Sequence, residues 1–137
     1  MEEFDKWNEV KKKTHKKENL VGFKPREIFW IRLGQNIGSE EYGKGNEFQR
    51  PVLIIKKLTY NLFIGVPLTS VVKEDNDYFH SFEFLNKQKN SVSKNSAMIL
   101  QLKSFDKKRL MGRIGMISKE DYNIIIEKIR KLFIPLN

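Results

Sequence analysis

Apolar residues occur in short blocks separated by glycine-, proline- and charge-rich stretches along most of the chain. Only its end keeps a helical period. Residues 27–33 (EIFWIRL), 51–57 (PVLIIKK) and 61–67 (NLFIGVP) are compact apolar runs of strand length, the last two joined by a turn near Leu58–Asn61. Residues 78–85 (YFHSFEFL) alternate. Phe79 and Ser81 fall on one face, and Tyr78, His80, Phe82 and Phe84 on the other. Residues 71–77 and 86–95 read as polar connections, and 96–103 (SAMILQLK) as a further strand. Asp106 to Arg109 suggest a short helical turn before a last strand, Leu110 to Met116. A helix then starts at Ser118, with Asp121 in the capping-box position. Its apolar stripe is Tyr122, Ile125, Ile126, Ile129, Leu132 and Phe133, and Pro135 ends it. Five or more short strands closed by one helix predict a mainly β fold, a small barrel.

Two segments do not fit that barrel. Residues 2–19 are highly charged and free of proline and glycine, with Phe4, Trp7 and Val10 on one helix face. They predict a charged helical arm over 1–24, ahead of a domain over 25–137, with Gly22 and Pro25 as the break. Residues 34–49 hold Gly34, Gly38, Gly43 and Gly45 among polar residues and predict a long loop. Such loops in compact domains are often functional.

Composition narrows the chemistry. The 137 residues suit one domain with a real core. With no cysteine, disulfide scaffolds, thiolate metal sites and thiol nucleophiles are excluded, and two histidines do not make a histidine-rich zinc centre. No apolar run has membrane-spanning length and no signal-peptide core opens the chain. The expectation is a soluble, cytoplasmic protein without membrane contact. The formal charge is +9. Residues 1–25 carry seven lysines against five acids, and the remainder nineteen basic residues against twelve acids, so the excess belongs to the folded part. A basic domain suits a polyanion, most often nucleic acid, although basic composition alone also serves solubility.

Several blocks taken together carry a resemblance. Glu27–Gly34 is followed by Asn36-Ile37-Gly38-Ser39-Glu40, Gly43, Gly45 and Arg50-Pro51-Val52-Leu53-Ile54-Ile55. Then come Pro67-Leu68-Thr69-Ser70, Gln101-Leu102-Lys103-Ser104-Phe105-Asp106, Arg109-Leu110 and Ile114-Gly115. In this order, over roughly residues 25–133, they resemble the PemK/MazF family of toxin endoribonucleases. The resemblance implies an SH3-like barrel with a C-terminal helix and a homodimer. It also implies sequence-specific, metal- and cofactor-independent cleavage of single-stranded RNA to 2′,3′-cyclic phosphate and 5′-OH ends, and a cognate antitoxin that blocks the RNA groove. The 1–24 arm and the longer loop between Ser39 and Arg50 depart from the pattern. So does Lys103, which stands where the family has an arginine and lacks the planar fork that arginine offers phosphate.

The resemblance also assigns residues. Arg50 and Thr69 match the catalytic pair. A guanidinium can stabilise charge developing on phosphate, and a hydroxyl can donate to a nonbridging oxygen. Ser39 and Glu40 match a loop pair in which Glu40 is a candidate base. Ser70, Gln101 and Lys103 are candidate RNA-binding or supporting residues. Each has a plainer reading: a surface arginine, a strand-end hydroxyl satisfying backbone, a solvated loop acid, a polar strand face. His80 is a titratable group in an alternating strand and reads as a partly buried side chain. Trp30, Phe29, Phe79, Phe82 and Phe84 offer stacking surfaces, though alternating aromatics more often form core. Two other functions share this barrel: a noncatalytic RNA- or protein-binding module, and a gyrase poison of the CcdB type. The latter presents a C-terminal tryptophan that Phe133-Ile134-Pro135-Leu136-Asn137 lacks.

Overall fold

The computed structural model describes residues 22–32 and 49–135. Residues 1–21 of the predicted arm and residues 33–48 of the glycine-rich loop, with them Ser39 and Glu40, lie outside the described residues. Among the described residues there are seven strands: β1 (Glu27–Arg32), β2 (Gln49–Lys57), β3 (Leu62–Thr69), β4 (Phe79–Asn86), β5 (Ser91–Met98), β6 (Lys103–Asp106) and β7 (Leu110–Met116). A helix, α1 (Lys119–Phe133), follows them. The strands form one antiparallel sheet in the order β4-β5-β3-β2-β1-β7, with β6 beside β3. The sheet curls until its ends meet. The Lys87 N–H, just past β4, donates to the Ile114 carbonyl in β7 at 2.8 Å. The expected mainly β barrel with a C-terminal helix is thus built by the described residues as a curled antiparallel half-barrel sheet followed by one helix.

The apolar runs of β1 and β2 are continuous because both faces of these strands are covered. Ile28, Leu53 and Ile55 join Val66, Leu68, Phe82, Phe84, Ile114 and Ile125 in one cluster beneath α1. Phe29, Ile31, Val52 and Ile54 join Phe23, Phe63 and Phe105 in a second cluster on the opposite face. β4 buries His80, Phe82, Phe84 and Asn86 and turns Glu83 and Leu85 outward, as its alternation predicts.

One stretch departs from the sequence-based expectation. Residues 91–95 are the first half of β5 instead of a polar connection, and the predicted strand over 96–103 is broken by a 3-10 turn, Ile99–Gln101. Pairing decides this. β5 zips along all of β4, from Phe79↔Met98 to Asn86↔Ser91, so it extends further toward the hairpin than its polar residues suggest. The turn then lets the chain leave β5 and rejoin β3 as β6. Asn90, at φ 52 in the β4–β5 turn, takes the left-handed conformation that Asn tolerates. The predicted helical turn before β7 is present as Lys107–Arg109.

Helix α1 begins as its sequence predicts. The Ser118 Oγ accepts from the Asp121 N–H at 3.1 Å, and the Ser118 hydroxyl donates to the Asp121 carboxylate at 3.0 Å. Ile125 is fully buried, while Phe133 is exposed because the last turn runs beyond the core. The Tyr122 hydroxyl donates to the Ile55 carbonyl at 2.6 Å. The β2–β3 register slips between Ile54 and Lys56, so this carbonyl sits at the irregularity, where α1 can use it. Burial pushes the Tyr122 phenol up, opposed by the Arg26 charge.

Gly115 sits where β7 passes Phe84. A Cβ there would lie 2.6 Å from the Phe84 ring and 2.8 Å from the Leu85 carbonyl oxygen. Backbone cannot yield as a side chain does. Gly115→Ala is expected to lower stability by about 1–3 kcal/mol, read from urea unfolding.

Candidate functional site

The entrance of β2 and the exit of β3 lie side by side. Val52 pairs with Pro67 and Leu53 with Val66, and continuing that register sets Arg50 opposite Thr69. The Arg50 Nη1 donates to the Leu68 carbonyl at 3.1 Å, which fixes the guanidinium across the strand pair. Arg50 is only 4% exposed. Burying a guanidinium costs several kcal/mol unless it is hydrogen-bonded, so its position is built, not incidental.

Beside it opens a cleft of about 270 Å³. Arg50, Gln49 and Pro51 of β2 line it, together with Trp30, Leu68, Ser70, Phe84 and residues of the β4–β5 hairpin. Lys89 and Lys94 of the hairpin lie on the same wall. Three cations and no carboxylate appear among the described residues lining this cleft, which favours an anionic occupant. Trp30 and Phe84 add ring surface.

The sequence-predicted residues separate into groups. Arg50 and Ser70 share the cleft. Thr69 lies between two lining residues, Leu68 and Ser70, and is 6% exposed. Its Oγ1 accepts from the Val71 N–H at 3.2 Å, the strand-end backbone role that a hydroxyl there often takes. That bond uses a lone pair and leaves the hydroxyl hydrogen to donate elsewhere. Gln101 lines a different, smaller groove with Lys73, Tyr78, Phe79, Met98 and Leu100. Lys103 lies opposite Gly65, with its Nζ 5.4 Å from the Phe105 ring centre, and does not line the Arg50 cleft. The aromatic candidates divide as well: Phe29 and Phe82 are core, whereas Trp30 and Phe84 reach the cleft. Asn86, Lys89, Ser93, Lys94 and Asn95 also line it and were not singled out in the sequence. All lie in or beside the stretch read as a connection. Their only signal was the pairing of that stretch with β4.

His80 is away from this cleft and does structural work. Its Nε2 is 2.8 Å from Asp121 at the start of α1. Its Nδ1 is 3.2 Å from Asp75, close enough for ionic attraction but without hydrogen-bond geometry. Lys128 of α1 lies 3.5 Å from the same Asp75 and donates to the Phe79 carbonyl at 2.8 Å. The group ties the β3–β4 connection, β4 and α1 together. Among the described residues no three His, Asp or Glu side chains are grouped to hold a metal ion, and no helix is long and apolar enough to cross a membrane.

The Asp75 carboxyl is held below the usual carboxylate range. Its partial burial pushes the other way, but the Ser81 N–H at 3.0 Å and the charges of His80 and Lys128 outweigh it. A depressed carboxyl stabilises the fold above its unfolded value and loses that contribution as pH falls through the folded one. The melting-temperature gap between wild type and Asp75→Asn is therefore expected to be present at pH 5–6. It should shrink below about pH 4, and pH-dependent thermal melts check this.

Comparison with known proteins follows the same lines. Residues 24–133 match the model of a family described as the PemK-like, MazF-like toxins of type II toxin–antitoxin systems. An endoribonuclease from a mycobacterial species, solved in complex with its cognate antitoxin, is similar in fold. The TM-score is 0.62 at 13% identity, over 85% of this chain and 100% of that one. The Mycobacterium tuberculosis toxin MazF-mt6 is similar with a TM-score of 0.57 at 17% identity, over 79% of this chain and 96% of that one. No curated protein sequence matches.

Proposed function

Because the chain belongs to the PemK-like, MazF-like toxins of type II toxin–antitoxin systems, we propose that it is an endoribonuclease that cuts single-stranded RNA without a metal ion. The observation that carries this reading is Arg50, buried and braced by the Leu68 carbonyl at the wall of a cleft whose lining charges are all positive. RNA carries its own nucleophile, so such a site needs few parts. The ribose 2′ oxygen attacks the adjacent phosphorus, forming the 2′-O–P bond as the P–O5′ bond breaks. The 2′ proton passes to a base, and the departing 5′ oxygen takes up a proton. The products are a 2′,3′-cyclic phosphate and a 5′-OH.

Arg50 lowers the barrier by holding positive charge where negative charge builds on the phosphate oxygens. A pre-set guanidinium needs no reorganisation at that moment. Thr69 donates its hydroxyl hydrogen to a nonbridging oxygen, since its lone pair already serves Val71. Glu40, which precedes β2 in the sequence, is the carboxylate assigned by the resemblance as base or as a brace for Arg50, with Ser39 next to it in the chain. Ser70, Lys89 and Lys94 guide the backbone into the cleft. Gln101 and Lys103 act on the strand away from the cut. His80 takes no part in proton transfer, being engaged with Asp75 and Asp121.

The same reading carries a cognate antitoxin, a homodimer and a cytoplasmic setting. The antitoxin is supported by the solved mycobacterial endoribonuclease, which was captured with its own. Light scattering of the purified protein tests the homodimer, and cell fractionation tests the setting.

Purified protein incubated with long single-stranded RNA in EDTA is expected to give discrete cuts. Arg50→Ala should reduce the rate by about 10²–10³-fold, and Thr69→Val by a smaller factor. Intact RNA that nevertheless shifts on a gel with wild type would replace catalysis with the binding-module reading.

A further inference from the structure

Two asparagines are buried among the described residues, Asn86 and Asn95. The Asn86 Oδ1 accepts from the Gln88 and Lys89 N–H groups at 3.0 and 3.1 Å, closing the β4–β5 turn. Asn95 is different. It sits inside β5, opposite Phe82 of β4, and only 6% of it is exposed. Its side-chain amide makes no hydrogen bond to any described residue. A strand interior disfavours asparagine. Asn95 nevertheless stands on the wall of the Arg50 cleft as a lining residue, and its amide is not among the fully enclosed, unpartnered side-chain groups of the described residues, so it is left to the space of the cleft. β3 and β5 pair through Thr69↔Ser96, so the next step of the register brings Asn95 beside Ser70, at the end of β3.

We propose that the Asn95 amide reads the edge of an unpaired nucleobase held in the Arg50 cleft, and so sets base preference at one position of the bound RNA. This rests on the reading of the cleft as an RNA site. A carboxamide presents a donor and an acceptor side by side, which complements the paired donor and acceptor on a base edge. Single-stranded RNA offers such edges because its bases can be splayed out and stacked on aromatic rings. Trp30 and Phe84 supply ring surface in the same cleft, and Arg50 supplies the charge for the neighbouring phosphate. The division of labour follows: Arg50 binds any sequence alike, and Asn95 discriminates.

The test separates discrimination from structure and from catalysis. Wild type, Asn95→Ala, Asn95→Asp and Arg50→Ala are titrated by fluorescence anisotropy against labelled 2′-O-methyl hexamers of A, of C, of U and of alternating G and U. These probes bind without being cut. Cleavage sites in a random RNA pool are profiled in parallel. Wild type is expected to prefer one hexamer by roughly tenfold or more. Asn95→Ala should flatten that preference. Asn95→Asp, with two acceptors and no donor, should shift it at one position of the cleavage profile. Arg50→Ala should weaken all hexamers together. A preference left unchanged by both Asn95 variants would overturn the proposal, as would an even loss across all hexamers with a lowered melting temperature. If wild type binds selectively but cuts nothing, the ribonuclease reading fails, and the hexamer titrations still decide the role of Asn95.

Discussion

Strand β2 is held on four sides, and the candidate site depends on that confinement. Hydrogen-bonded partners flank it, β1 on one edge and β3 on the other. Leu53 and Ile55 press into the core beneath α1, while Val52 and Ile54 press into the opposite cluster. A fully buried aliphatic side chain contributes about 1.5–3 kcal/mol, so four in succession make any sliding or tilting of β2 costly. Arg50 and Pro51 stand at the entrance of this strand and inherit its rigidity. The bond from Arg50 to the Leu68 carbonyl then couples the guanidinium to β3, whose end carries Thr69 and Ser70. In the role proposed for Arg50, a charge is effective only if it does not have to move. Here the core supplies that immobility.

Much of this was legible in the residues. The runs EIFWIRL and PVLIIKK announced strands, and their lack of alternation follows from burial on both faces. YFHSFEFL announced a half-buried strand and assigned its faces correctly. Ser118 and Asp121 marked the start of the helix because capping chemistry is local. The first half of β5 was not legible. Ser91, Val92, Ser93, Lys94 and Asn95 carry little hydrophobic signal, and their strand conformation comes from pairing with β4, a nonlocal fact. The same blindness hid Asn95, a cleft residue in a stretch that reads as a connection. Arg50 stood out for its place in a resembling block, since an arginine and a proline before an apolar run are common on their own. Gln101 stood out for its place in a resembling block, yet it lines another groove.

The electrostatic layout adds a further constraint. Several acids among the described residues are committed to structure. Glu27 accepts from the Lys24 N–H and from Arg113, each at 2.6 Å, Asp106 caps the turn before β7, and Asp75 and Asp121 flank His80. Basic residues are left to define the cleft. A net charge alone would not choose a face. The commitment of carboxylates to turns, caps and ion pairs does, and it leaves the Arg50 side open to a polyanion.

The central claim is that RNA supplies its own nucleophile and Arg50 stabilises the charge that results. The most direct test replaces a single 2′-OH by hydrogen at a mapped cleavage site, in EDTA, with product ends identified by mass spectrometry. The account predicts that this one substitution abolishes cutting there, while the all-ribose RNA yields 2′,3′-cyclic phosphate and 5′-OH ends. Continued cutting of the substituted RNA, or 5′-phosphate ends from either, would contradict it.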